Sequence, residues 1–209
     1  MNVNLKDLNH IYLEVKKNTK NKRKIYHFEK NKIQKLSEIK ESISTYNGGS
    51  YNIFIITKPK IRVIMSQNIK DKVINHYVSR FILEPKLEKY LDDRNIATRK
   101  NKGTSLGIKI LKKYIEKNKK YKNFYILKID ISKYFYNIDH KVLKDMLIDK
   151  LDKEEYFIIE KIIDSTNQDY INKTILKLSK KYNLDLSIYS YGKGLPIGNL
   201  SSQILSIFY

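Results

Sequence analysis

Two hydrophobic periods alternate along this chain. Leu5, Leu8, Tyr12 and Val15 recur at helical spacing and predict a helix with one buried face, followed by a basic patch from Lys16 to Lys24. Ile25, Phe28, Ile33, Leu36, Ile39 and Ile43 predict a second helix ending near Asn47-Gly48-Gly49. The period then shortens. Tyr51 to Thr57 and Ile61 to Ser66 read as two strands of a hairpin joined at Lys58-Pro59-Lys60. Asn68, with Asp71 three residues on, is the expected cap of a helix carrying Val73, Ile74, Tyr77, Val78, Phe81 and Ile82, which Glu84-Pro85 should end. Thr104 starts a further helix through Ile108, Leu111 and Ile115.

The stretch from Tyr125 to His140 is organised differently. Ile126, Leu127, Ile129 and Ile131 are apolar and β-favouring, and predict a buried strand. Asp130 sits inside that run with no apolar reason to be there. A charged carboxylate is costly to bury without a cation or donors, so Asp130 either holds a divalent metal at a strand end or caps the turn that follows. Asp139 and Asp152 are read as N-caps of two helices, the first with Val142, Leu143, Met146 and Leu147, the second with Phe157, Ile158, Ile162 and Ile163. Residues 166–188 fit helix or strand equally. In the last stretch Gly192, Gly194, Gly198 and Pro196 fall close together in a chain with only seven glycines and three prolines. That concentration frees the backbone where a ligand could approach. Its spacing is neither a dinucleotide fingerprint nor a phosphate-binding Gly-Lys-Ser/Thr loop. Asn199 or Ser201 then begins an apolar helix through Phe208 that the chain stops inside, which reads as a fragment.

Composition points to a polyanionic partner. Lys and Arg number 42 against 22 Asp and Glu, a net charge of +20, which favours nucleic acid first and an anionic membrane second. The alternative source of a lysine excess is codon bias in an A/T-rich genome, so the few arginines, Arg62 and Arg99 among them, carry more information. Lys58, Lys60 and Arg62 give the hairpin a cationic tip, suited either to clamping a triphosphate or to protecting a sheet edge. The absence of cysteine excludes disulfides and thiolate metal sites. With no signal pattern and no apolar run of membrane length, a soluble cytoplasmic protein is expected.

Tyr90-Leu91-Asp92-Asp93 has the YxDD form of a polymerase metal-binding turn, but its polar, helix-like surroundings favour an ordinary acidic helix end.

Four segments in order resemble retron-type and group II intron-like reverse transcriptases: RVIMSQNIKDKV, LEPKLEKYLDDRNIATRKNKGT, LKIDISKYFYNIDH and GLPIGNLSSQ. The resemblance covers about residues 51–209. It implies an α/β (α+β) chain forming the fingers and partial palm of a right-hand polymerase, truncated before the family's own YxDD hairpin. A helical segment would occupy 1–50, fingers 51–122 and the incomplete palm 123–209. Arg99 falls on the family's arginine, and Tyr90 to Asp93 on a stretch of no catalytic meaning. By position, Asp130 would be the catalytic carboxylate and, with the Ile131 carbonyl, a ligand for Mg²⁺. Lys60 and Arg62 would hold the incoming deoxynucleoside triphosphate, and Phe135 would act as the steric gate against a ribose 2′-hydroxyl. Pro196, Ile197, Gly198 and Asn199 would line the nucleotide pocket, with Gln203 on the supporting helix. RNA template and DNA primer would be the partners.

Ile197 departs from the glutamine of most relatives. IGN followed by SQ is most similar to diversity-generating retroelement and phage-defence reverse transcriptases, and implies looser base discrimination. Two other readings stay open: a non-catalytic nucleic-acid-binding module on the same scaffold, and a permuted polymerase in which Tyr90 to Asp93 is catalytic. The latter requires strand-turn-strand structure around Leu91.

Overall fold

Short amide and carboxylate side chains cap several of the helices in the computed structural model, which describes residues 3–121 and 123–209. The Asn4 side chain accepts from the Lys6 amide ahead of α1 (Leu5–Asn18), and Asn21 does the same ahead of α2 (Lys22–Glu29). After α3 (Lys32–Ser42), Asn68 caps α4 (Ile69–Val78) through the Asp71 amide at 2.9 Å. Asp139 accepts from the Lys141 and Val142 amides at the start of α8 (His140–Leu147). Asp152 forms a reciprocal capping box with Glu155 ahead of α9 (Lys153–Ile163). Each satisfies amides that a helix start leaves without a partner.

The hairpin forms as expected. β1 (Tyr51–Ile56) and β2 (Arg62–Gln67) pair antiparallel, with Tyr51 opposite Gln67 and Ile56 opposite Arg62. The two strands make one small sheet among helices, an α+β arrangement. Within residues 166–188 the main element is a helix, α10 (Asp169–Tyr182), which packs Ile171 and Ile175 against Tyr51, Val63 and Met65 of the hairpin, and the residues after it form no strand. The larger core gathers Leu8, Ile11, Ile39, Ile74, Leu143, Ile159 and Leu205 from α1, α3, α4, α8, α9 and the last helix, α11 (Leu200–Phe208). No helix among the described residues is long and apolar enough to cross a membrane.

Three expectations change. The second predicted helix is two, because the chain turns at Lys30-Asn31, and Ile33 ends 77% exposed. Glu84-Pro85 does not end α4. A single π-turn over Ser79–Leu83 leads straight into α5 (Glu84–Leu87), with Pro85 in its first turn, where a missing N–H costs nothing.

The third change is the largest. Residues 125–131 form no strand and are not buried: Tyr125 is 96% and Leu127 82% exposed. A strand needs a ladder along its edges and a layer against its faces. Among the described residues neither is offered, since β1 and β2 pair only with each other. The helix before this stretch, α6 (Thr104–Asn118), likewise buries none of its residues and leaves Ile108, Leu111 and Tyr114 half exposed. The boundary expected between fingers and palm falls on Lys122, outside the described residues.

Candidate functional site

The last glycine-rich loop is held in place by backbone. The Leu195 amide donates to the Phe135 carbonyl at 2.8 Å, and the Gly194 amide to the Ile138 carbonyl at 2.8 Å. These bonds fasten the loop to α7 (Tyr134–Asn137) and the residue that follows it. On the other side the Met65 amide of β2 donates to the Ile197 carbonyl at 2.8 Å. Gly198 has φ of +125°, and a Cβ there would lie 3.1 Å from the Met65 carbonyl oxygen and 3.2 Å from the Ile64 side chain. Only glycine combines that φ with so close an approach to the strand. The loop therefore bridges the hairpin and α7, elements far apart in sequence.

Side chains reinforce the bridge. Asn199 is buried and its amide donates to the Tyr51 hydroxyl at 3.3 Å. Ser165 Oγ donates to the Ile162 carbonyl, so the Tyr51 hydroxyl donates to Ser165 Oγ at 2.9 Å. The Tyr189 ring stacks on Tyr136 at 4.7 Å, and its hydroxyl donates to the Leu195 carbonyl. Burial raises both phenols above their ordinary value, keeping them neutral.

His140 completes the support and was not legible from sequence. It is buried, with Nε2 at 2.7 Å from the Gly194 carbonyl oxygen and Nδ1 at 3.1 Å from the Asp164 carboxylate. Thr166 Oγ1 donates to the same Gly194 carbonyl at 2.9 Å. Lys144 holds Asp164 at 3.0 Å and reaches Glu160. Only its place one residue after the Asp139 cap marked His140.

The sequence-predicted site residues divide into two sets. Pro196, Ile197, Gly198 and Asn199 lie in the bridging loop, and Phe135 is half-buried in α7 with Tyr134 edge-on at 6.1 Å. Arg62 opens β2 and Lys60 lies in the hairpin turn, both exposed, so these residues share the hairpin–loop–α7 unit. Gln203 is exposed on α11, beside Thr98. Asp130 and Ile131 belong to the other set. Both are exposed, and Asp130 meets no partner among the described residues. No group of three or more His, Cys, Asp or Glu able to hold a metal occurs among the described residues.

Tyr90 to Asp93 is the end of a 3-10 turn followed by a bend, with no strand on either side. Asp92 pairs with Arg94 at 2.7 Å and Asp93 with Lys102 at 3.1 Å. Arg99 is buried and clamps this segment. It donates to both Glu88 carboxylate oxygens and to the carbonyls of Asp92 and Asn95. Its role here is to fold the loop.

Comparison of the chain with family models and with curated proteins finds no match.

Proposed function

We propose that this chain supplies the fingers and the first part of the palm of an RNA-directed DNA polymerase, a reverse transcriptase working on an RNA template and DNA primer. The observation that carries this reading is the joining of the Arg62 strand, the Phe135 helix and the Pro196–Asn199 loop by backbone hydrogen bonds. The four segments whose motifs resemble the polymerase family include all three. In this reading Arg62 and Lys60 neutralise the triphosphate of an incoming deoxynucleotide. The Phe135 ring excludes a 2′-hydroxyl by contact, and the loop backbone forms the wall beside the base. Asp130 and the Ile131 carbonyl offer oxygen ligands suited to Mg²⁺. By themselves they do not complete a site for it, and no group of three or more His, Cys, Asp or Glu able to hold a metal occurs among the described residues.

Primer extension on an RNA template, with deoxynucleotides and Mg²⁺ and the entire open reading frame expressed, tests the reading. Extension by the unaltered protein that disappears in Asp130→Ala is the expected result. No extension, or extension unaffected by Asp130→Ala, overturns it.

A second reading, a nucleic-acid-binding module without chemistry, draws on α6. This exposed helix and the turn after it carry Lys109, Lys112, Lys113, Lys117, Lys119 and Lys120. Its signature is RNA binding with a steep salt dependence but no extension, read by fluorescence anisotropy at several ionic strengths.

A further inference from the structure

Gln67, the last residue of β2, is 2% exposed, and only half of its side-chain amide is satisfied. Nε2 donates to the Tyr46 hydroxyl at 3.1 Å and reaches the Gly48 carbonyl at 3.5 Å. The Tyr46 hydroxyl gives its own proton to Asp71, so toward Gln67 it can only accept. That fixes which way the amide points. Oε1 is left without a described partner, a costly state for a buried acceptor. Gln67 lines a cavity of about 180 Å³ that Tyr46 and Gly48 do not, so Oε1 is the end of the amide turned toward it.

The other walls of this cavity carry positive charge. Lys72 of α4 lines it, half-buried, and its ammonium meets no partner among the described residues. Burial, and then Lys24, lower the Lys72 pKa below the ordinary lysine value, the mark of an ammonium short of an anion. Leu200, first residue of α11, lines it too. Its amide donates to no described residue, and the Asn199 side chain, committed to Tyr51, does not cap the helix. A helix start of this kind adds partial positive charge. His76 also borders the space, but its Nδ1 is turned to Glu14 at 3.5 Å, and Arg80 answers Glu14. No carboxylate among the described residues lines the cavity.

A ligand that satisfies all three groups brings negative oxygens for Lys72 and the Leu200 amide, and a proton for Gln67 Oε1. Sulfate has the oxygens without the proton, and water has the proton without the charge. A phosphate group that keeps a proton has both. We propose that this cavity is a binding site for protonated phosphate, with P–O⁻ oxygens toward Lys72 and the start of α11 and a P–OH donating to Gln67 Oε1. The inference goes beyond the polymerase reading and does not rest on it: none of Lys60, Arg62, Phe135 and Asp130 lines the cavity.

Isothermal titration calorimetry of the full chain, at constant ionic strength and about pH 6, sets inorganic phosphate against sulfate. At that pH roughly half of a phosphate ester also keeps its proton, so adenosine monophosphate serves as a third probe. Phosphate should bind at least about tenfold more tightly than sulfate, whose oxygens would meet Oε1 acceptor to acceptor. A merely basic surface predicts that the doubly charged sulfate binds as tightly or more so. Lys72→Met should lower phosphate affinity at least about tenfold, and Lys177→Met, at an exposed position of α10, should leave it unchanged. Gln67→Met should abolish the preference over sulfate. That variant also loses the bond to Tyr46, so circular dichroism checks its fold. Should it fail to fold, the preference of the unaltered chain and the effect of Lys72→Met decide. Tighter binding of adenosine monophosphate than of inorganic phosphate assigns the site to a phosphate ester, and the reverse order to the free ion. No binding of either at millimolar concentration overturns the proposal. So does sulfate binding equal to phosphate, or phosphate binding untouched by Lys72→Met.

Discussion

Ile138 and Ile129 are the same residue nine positions apart, and they live in opposite circumstances. Ile138 is wholly buried beside α8, with its carbonyl taken by Gly194, whereas Ile129 is 76% exposed in a stretch without a ladder. Both are flanked on each side by a polar residue, Asn137 and Asp139 around Ile138 and Lys128 and Asp130 around Ile129. What separates them is the supply of partners: the 192–199 loop returns to cover Ile138, and no described residue returns to cover Ile129. Intrinsic preference makes a segment able to be a strand. Burial is conferred by another part of the chain.

The largest effect is expected at the packed residue. Ile138→Ala should cost about 2–5 kcal/mol of unfolding free energy, the usual consequence of emptying a core site, seen as a lower urea midpoint with unchanged slope. Gly198→Ala comes next, at about 1–3 kcal/mol, because it forces an L-residue into φ +125° against the Met65 carbonyl. It should also weaken the loop-to-strand bond, so faster hydrogen exchange at the Met65 amide checks the mechanism. Asn75→Ala removes a side chain bonded twice to Ser201 and should cost about 1–2 kcal/mol in the same denaturation assay.

A smaller effect is expected from pH. Burial lowers the His76 imidazole below its ordinary 6.5, Arg80 adding to the effect and Glu14 opposing it. The folded chain thus takes up the proton less readily than the unfolded chain. The stabilising difference is complete above about pH 6.5 and is lost as pH falls toward the lowered folded value. Glu14 is also perturbed: burial raises its carboxyl, but Arg80 and His76 outweigh that and leave it lowered, so its own contribution is constant above pH 5 or so. Denaturation between pH 7.5 and 5.5 or thereabouts should therefore show a decline that His76→Gln flattens. The smallest change belongs to the open region. Ile129→Ala should shift stability by less than about 0.5 kcal/mol. A loss as large as that of Ile138→Ala would mean that the segment is packed after all.

What the sequence disclosed follows the same division. The caps at Asn68, Asp139 and Asp152 were legible because the side chain and the amides it serves lie within three residues of each other. The hairpin was legible from alternation and a proline-containing turn. The helix break at Asn31 was not, since Ile33 preserves the apolar period across it. Pro85 misled because the π-turn before it alters which amides need partners. At the site, the glycine-rich loop drew notice through composition, and Gly198 proves to be where the backbone runs against β2. His140, the Arg99 clamp and the Asn75–Ser201 pair rest on contacts between segments distant in sequence, which no local window contains. For Asp130, the apolar run around it announced a strand but could not say what would cover it.

The Asn75–Ser201 pair has a consequence for the order of assembly. Asn199 stands at the N-cap of α11, yet its side chain is committed to Tyr51, and the cap comes from α4 instead: Asn75 Oδ1 accepts from the Ser201 amide at 3.2 Å while Nδ2 donates to Ser201 Oγ at 2.8 Å. The two residues are 126 positions apart. A helix of nine residues is too short to persist alone in water, and this one borrows its starting point from a helix made much earlier in translation. On emerging from the ribosome α11 therefore has no stable form of its own. It becomes a helix as it docks on a surface that α4 must already have laid down, which makes its formation a late event and a sensitive reporter of whether the earlier part has folded correctly.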